Sequence, residues 1–239
     1  MAHNTSADAV RLIDDVRPGE SEKEFLPGMG RRWLLPLYDP FTWLVGGRRL
    51  HRRTVELAGV SSGEAVLDIG CGTGNLALAI LRAVPGAVVT GLDPDPDALQ
   101  RAARKARRRR MQITLVRGYA DRLPLPDASQ DHVVSSLALH HVPLEEKQRM
   151  AAELMRILKP GGTVTIGDLA GGGHGDGRHD HSKHRHGLSR PGERTGYLDD
   201  NADGGIERLL TDAGLVDARE LERATILGNT VAFVQARRP

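Results

Sequence analysis

Residues 64–78 read EAVLDIGCGTGNLAL, and this stretch decides the fold. Ala65 to Ile69 is a short apolar run broken only by Asp68, enough for one buried strand. Gly70, Gly72 and Gly74 follow, and a helical pattern opens at Asn75. Strand, glycine-rich turn and helix together form a nucleotide-type site, because glycines let the backbone turn tightly and approach a ligand with no Cβ in the way. The third glycine comes one residue too early for the dinucleotide spacing. Asp68, two residues before the first glycine, would repel a phosphate and welcome an amino group.

Outward from this loop, the chain alternates strand and helix. Upstream, residues 48–58 form a basic helix that leads through Ser61-Ser62-Gly63 into the first strand. Downstream, Asn75 to Ala83 reads as a helix stopped by Pro85-Gly86, and Ala87 to Leu92 as a strand ending at Asp93. Pro94 to Arg110 is a helix with acids at its start and arginines at its end, the order that suits the helix dipole. Strands are expected at Ile113–Val116, Asp131–Leu137 and Thr163–Leu169, with a helix over Glu145–Leu158 closed by Lys159-Pro160-Gly161-Gly162. A helix over Gly205–Ala213 and two strands, Val216–Glu222 and Thr230–Ala236, complete the pattern. Such alternation calls for an α/β domain whose parallel sheet carries helices on both faces.

At 239 residues the chain fits one domain with embellishments, and 27% charged beside 39% hydrophobic residues is ordinary for a globular protein. A net charge of +2 does not by itself call for a nucleic-acid partner. The tract RAARKARRRR at 101–110 ends a helix and has no interleaved aromatics, so it reads as a solvated basic face. One cysteine, Cys71, excludes a disulfide within the chain and a cysteine cage for a metal. With no apolar leader and no apolar run near the roughly 20 residues that span a bilayer, a cytoplasmic protein is expected.

Two segments stand outside the alternation. Residues 1–59 are expected to form an N-terminal helical cap with a flexible start, including a short helix from Ala7 to Val16. Within it, Phe25, Trp33, Tyr38, Phe41 and Trp43 are five of the chain's eight aromatics, cut into short pieces by prolines at 27, 36 and 40. They suit packing onto the core, a cap over an apolar substrate pocket, or peripheral contact with a membrane. Residues 170–200, inside the domain expected at 60–239, hold few large apolar side chains and read as a disordered insertion. Its His174, His179, His181, His184 and His186 are candidate ligands for a transition metal, against the plainer reading of a solvated low-complexity loop.

VLDIGCGTGN at 66–75, GLDPDPDAL at 91–99, LPLPDASQDHVVSSLALHHV at 123–142 and RILKPGGTVTI at 156–166 together resemble the class I S-adenosylmethionine-dependent methyltransferases. Within that class the likeness is greatest to the C-methyltransferases of ubiquinone and menaquinone biosynthesis and the small-molecule group around them. It covers residues 60–169 closely and 205–237 loosely. The resemblance implies a Rossmann-like fold with a mostly parallel seven-stranded sheet, a C-terminal antiparallel hairpin, and S-adenosylmethionine as methyl donor, leaving S-adenosylhomocysteine, with no metal required.

Carried onto this chain, the family's pattern gives Asp68 the donor's amino group and brings the amides of Gly70, Gly72 and Gly74 to its carboxylate, beside the helix N-terminus at Asn75. Thr73 and Ser136 match cofactor contacts. Cys71 lies in the loop as a packed residue, and Leu137 ends the fourth strand beside the methyl group. Asp93, followed by Pro94, would accept from both ribose hydroxyls. The family's usual acid at the adenine is replaced here by Tyr119, followed by Ala120, with Asp121 displaced. His140 and His141 are candidate general bases. SLAL at 136–139 is not the (D/N/S)PP(Y/F/W) motif of nucleic-acid amino methylation. The expected reaction is methyl transfer to a small, fairly apolar acceptor such as a phenol, quinone precursor, polyketide or lipid, by a monomer or homodimer. Two rivals stand beside it: a metal-binding protein acting through the histidines, and a donor-binding module without catalysis.

Overall fold

The computed structural model describes residues 9–20, 47–170, 200–201, 203–226 and 229–239. The aromatic segment at 25–45 and all five histidines of the 170–200 insertion therefore lie outside the described residues. Eight strands and five helices follow one another as β1 (Val10–Asp14), α1 (Gly47–Ala58), β2 (Ala65–Ile69), α2 (Asn75–Ala83), β3 (Val88–Asp93), α3 (Pro96–Arg108), β4 (Ile113–Arg117), β5 (Gln130–Ser136), α4 (Leu144–Ile157), β6 (Leu158–Leu169), α5 (Gly205–Asp212), β7 (Val216–Ile226) and β8 (Asn229–Arg237) among these residues.

One sheet contains all the strands in the order β1-β4-β3-β2-β5-β6-β8-β7. The first six pair in parallel, while β8 runs antiparallel to both β6 and β7. The order reverses between β2 and β5, where α/β sheets open a crevice at the carboxyl ends of their strands. Alternation along each strand sends one set of side chains to each face. Leu67, Ile69, Val133, Val164 and Ile166 pack under α4 and α5. Val66, Val89, Leu115 and Val134 pack under α2 and α3. A third cluster joins Leu50 of α1 to Ile226, Val231 and Phe233 of the hairpin.

Three expectations are corrected here. The sheet has eight strands, not seven, and the stretch read as a helix from Ala7 to Val16 contains the extra strand, β1. A lone helix of that length is marginal in water, whereas the free edge of β4 offers backbone partners. Ala9 O accepts from Ile113 N at 2.9 Å, and Val10 is 1% exposed. Arg122 then fastens the following turn by bonds to Asp15 and Glu20. The Lys159–Gly162 turn is also absorbed into β6, with a register shift against β5 between Gln130 and His132.

Candidate functional site

The glycine loop leaves β2 and is pinned by backbone bonds from Gly70 N and Cys71 N to Leu92 O at 2.9 and 3.0 Å. A Cβ on Gly70 would lie 2.4 Å from the Ala138 Cβ, and its φ of +68° belongs to the left-handed region. Gly74 is equally confined, since its Cβ would come within 2.9 Å of the Ala102 Cβ on α3. The loop is thus squeezed between the end of β5 and the flank of α3.

Three buried acids organise the space above it. Asp68 accepts from Ala77 N in the first turn of α2 at 3.0 Å. Burial, reinforced by the neighbouring charge of Asp93 and opposed by the Ala77 bond, pushes its carboxyl up to about 8. Asp93 accepts from Gly72 N at 2.7 Å and Asp95 N at 2.9 Å, and burial outweighs these bonds to raise it to about 6. Asp95 caps α3, accepting from Asp97 N at 2.9 Å, which leaves Asp93 to brace the loop. Lys105 of α3 donates to Thr73 Oγ1 and Asn75 Oδ1, both at 2.9 Å. Cys71 is buried, and desolvation followed by the charges of Asp93 and Asp68 pushes its thiol up, as befits a packed residue.

These groups line a cavity of about 210 Å³. Of the expected cofactor residues, Asp68, Gly70, Cys71, Gly72, Thr73, Asp93, Pro94, Tyr119, Ala120, Ser136 and Leu137 form its walls. Gly74 is outside the wall, packed on Ala102. Asp121 also reaches the cavity, beside the nearly buried Tyr119. Ser136 Oγ is buried without a hydrogen-bond partner among the described residues, a hydroxyl that a bound ligand would satisfy. Leu137 takes a left-handed φ of +53°, held by its N–H to Gly167 O at 3.0 Å, a strained turn of the kind concentrated at functional sites.

The two candidate bases are separated. His141 lines the cavity and His140 does not. His140 turns its Nδ1 to Asp168 Oδ1 at 2.7 Å, and the two imidazole centroids lie 4.0 Å apart. Asp168 is fully buried and also accepts from Leu139 N and Leu169 N, each at 2.7 Å. Its role was not read from sequence, although a lone acid in the apolar run TVTIGDL was the available signal. His51 of α1 and Glu146 and Met150 of α4 complete the wall. His51 had no local signal, being one residue in a basic helix distant in sequence. Lys147, 1% exposed on α4, donates to Asn201 Oδ1 at 2.9 Å and lies 3.5 Å from Asp200. Burial lowers its ammonium, and Asp200 works against that. Among the described residues no group of three or more His, Cys, Asp or Glu could hold a metal, and no helix is long and apolar enough to cross a membrane.

A family model described as a methyltransferase domain matches residues 66–162. The chain is 36% identical over 139 residues to an uncharacterized methyltransferase of Synechocystis sp., covering 57% of this chain and 63% of the relative. It is 33% identical over 136 residues to a demethylmenaquinone methyltransferase of Thermus thermophilus, covering 56% of this chain and 61% of that protein. The chain thus spans about three fifths of the length of these relatives. In fold it resembles a phosphoethanolamine N-methyltransferase of Haemonchus contortus solved with S-adenosyl-L-methionine, at a TM-score of 0.69 and 18% identity, over 92% of this chain and 61% of that one. Sheet order and family match converge: residues 66–162 match a methyltransferase domain, and the fold around the glycine loop resembles that of the S-adenosylmethionine-dependent methyltransferases.

Proposed function

We propose that this protein transfers the methyl group of S-adenosylmethionine to a hydroxyl or an enolisable carbon of a small, fairly apolar acceptor. The observation that carries the reading is the Asp168–His140 pair set against His141 in the cavity wall. The sulfonium donor supplies an already activated methyl group, so the chain has to align the acceptor, exclude water and accept one proton.

Asp68 and Asp93 suit the donor's ammonium and ribose, and the unpartnered Ser136 hydroxyl suits another of its polar atoms. Leu137, Val142, Pro143 and Met150 give the rest of the wall an apolar character that favours a phenol, quinol or polyketide-like ring. The acceptor's O–H or acidic C–H proton passes to the His141 imidazole as the acceptor atom bonds the methyl carbon. The carbon–sulfur bond breaks with its electron pair left on sulfur, which makes a thioether. Asp168 holds His140 in one orientation, and His140 packs behind the ring that takes the proton. The quinone substrate of the Thermus relative belongs to the same acceptor class.

The test incubates the full chain with S-adenosylmethionine and a panel of phenols and naphthohydroquinones, following release of S-adenosylhomocysteine. Turnover of a panel member should fall by about 100-fold or more in His141→Ala, with donor affinity retained. Undiminished turnover in that variant would overturn the assignment of the base.

A further inference from the structure

We infer that Glu146 is a specificity-determining residue, which selects acceptor rings that carry a second, hydrogen-bond-donating hydroxyl and rejects anionic ones. The inference rests on the proposed methyl transfer to a small ring in this cavity. Glu145 and Glu146 are adjacent in the first turn of α4 and are placed differently. The Glu145 side chain is 87% exposed, whereas Glu146 is half-buried and belongs to the cavity wall. Met150, one turn further along the same face of the helix, belongs to the wall as well. Lys147 sets this rotation of α4, being 1% exposed and bonded to Asn201 Oδ1.

The wall contains the acids Asp68, Asp93, Asp95, Asp121 and Glu146, and no Lys or Arg among the described residues. Four of these acids are engaged. Asp68 accepts from Ala77 N, Asp93 from Gly72 N and Asp95 N, and Asp95 from Asp97 N, while Asp121 lies 3.5 Å from Arg149. The Glu146 carboxylate has no hydrogen bond or ion pair among the described residues. An ionised carboxylate only accepts, and this one shares its wall with Val142, Pro143 and Met150, the apolar groups that suit a ring. A hydroxyl on such a ring satisfies it with a charge-assisted bond. An ether oxygen in the same place offers no proton and leaves the carboxylate desolvated without compensation. A second carboxylate there meets Glu146 with no wall cation to offset the repulsion, which low-dielectric surroundings enlarge. His141, also in the wall, is left for the hydroxyl that reacts.

Steady-state kinetics of the full chain with S-adenosylmethionine test this on matched naphthalene rings. Each isomeric dihydroxynaphthalene is compared, without oxygen, with its mono-O-methyl ether and with the hydroxynaphthoate that puts a carboxylate in place of the second hydroxyl. Wild-type protein should favour the best diol over its ether by about tenfold or more in kcat/KM, and over the hydroxynaphthoate by about 100-fold. Glu146→Ala should bring the diol-to-ether ratio to within about threefold of one. Glu146→Gln, which keeps the shape of the side chain and removes its charge, should narrow the diol-to-hydroxynaphthoate ratio about tenfold. Ratios that both variants leave at the wild-type values, including an equal loss on every ring, would overturn the role of Glu146. So would a wild-type enzyme that shows no preference for the diol, and either result spares the methyl transfer itself. Wild-type protein that binds S-adenosylmethionine and methylates none of the rings would overturn the acceptor reading, and the inference with it.

Discussion

Gly70 meets two independent restraints at one position. Its φ of +68° disfavours any side chain, and the Ala138 Cβ occupies the space where a methyl group would go. Gly70→Ala should therefore cost about 2–4 kcal/mol and abolish donor binding, because the loop and the end of β5 must move apart. Thermal melting and titration with S-adenosylhomocysteine check this. The double variant with Ala138→Gly should recover part of the loss, since it removes the contact and leaves the backbone strain. Full recovery would show that φ does not matter here. His140 and His141 teach a related lesson at the same scale. Adjacent in sequence, they are placed differently: His140 bonds the buried carboxylate of Asp168 and stands outside the wall, while His141 lines the cavity.

Elements were legible where they repeat a hydrophobic period or end in a strong breaker. α2 was bounded by Gly74 and Pro85, and its limits coincide with the expected ones. β1 was misread because Val10, Leu12 and Ile13 fit a helical spacing as well as an edge strand, and only the presence of β4 decides between them. Putting a charge at its single buried position should release it. Val10→Lys should cost about 1–2 kcal/mol and strip hydrogen-exchange protection from the β1 edge of Ile113–Arg117, with donor binding intact. α4 poses the opposite case, because Lys147 looks like a surface residue of a charged helix and is fully enclosed. Lys147→Met leaves Asn201 and Asp200 without their cation, at about 2–4 kcal/mol, and should loosen the chain at 200–201. Exchange rates at Asn201 and through α5 are the measurement. Most of the cavity wall was readable because short motifs build it, whereas His51 and Glu146 reach it, and Asp168 reaches His140, only through tertiary contact.

For the whole molecule, the buried acids couple protonation to ligand binding. Asp68 is raised to about 8 and Asp93 to about 6, both above the unfolded carboxylate range near 4. A raised acid holds its proton more tightly in the folded state. Its stabilising contribution is complete below the unfolded value and is lost as pH rises, through about 6 for Asp93 and about 8 for Asp68. The ligand-free protein should therefore lose melting temperature across that window. A cationic donor favours the ionised carboxylates, so its affinity should rise over the same range, by up to about tenfold per pH unit. Melting curves and titrations from pH 5.5 to 7.5 test both slopes, with Asp68→Asn expected to flatten them. A donor affinity that falls with pH in that range would contradict the coupling.

The antiparallel pairing of β8 has a consequence for the order in which the molecule can be assembled. β7 leaves the ribosome before β8, yet its sheet neighbour is β8, which inserts between it and β6. Until residues 229–237 emerge, β6 presents an unfilled edge and β7 has nothing to pair with. The parallel strands around the glycine loop thus all precede, in synthesis, the strand that carries Phe233 and supports α1, so the closing of that side of the sheet depends on the last strand made.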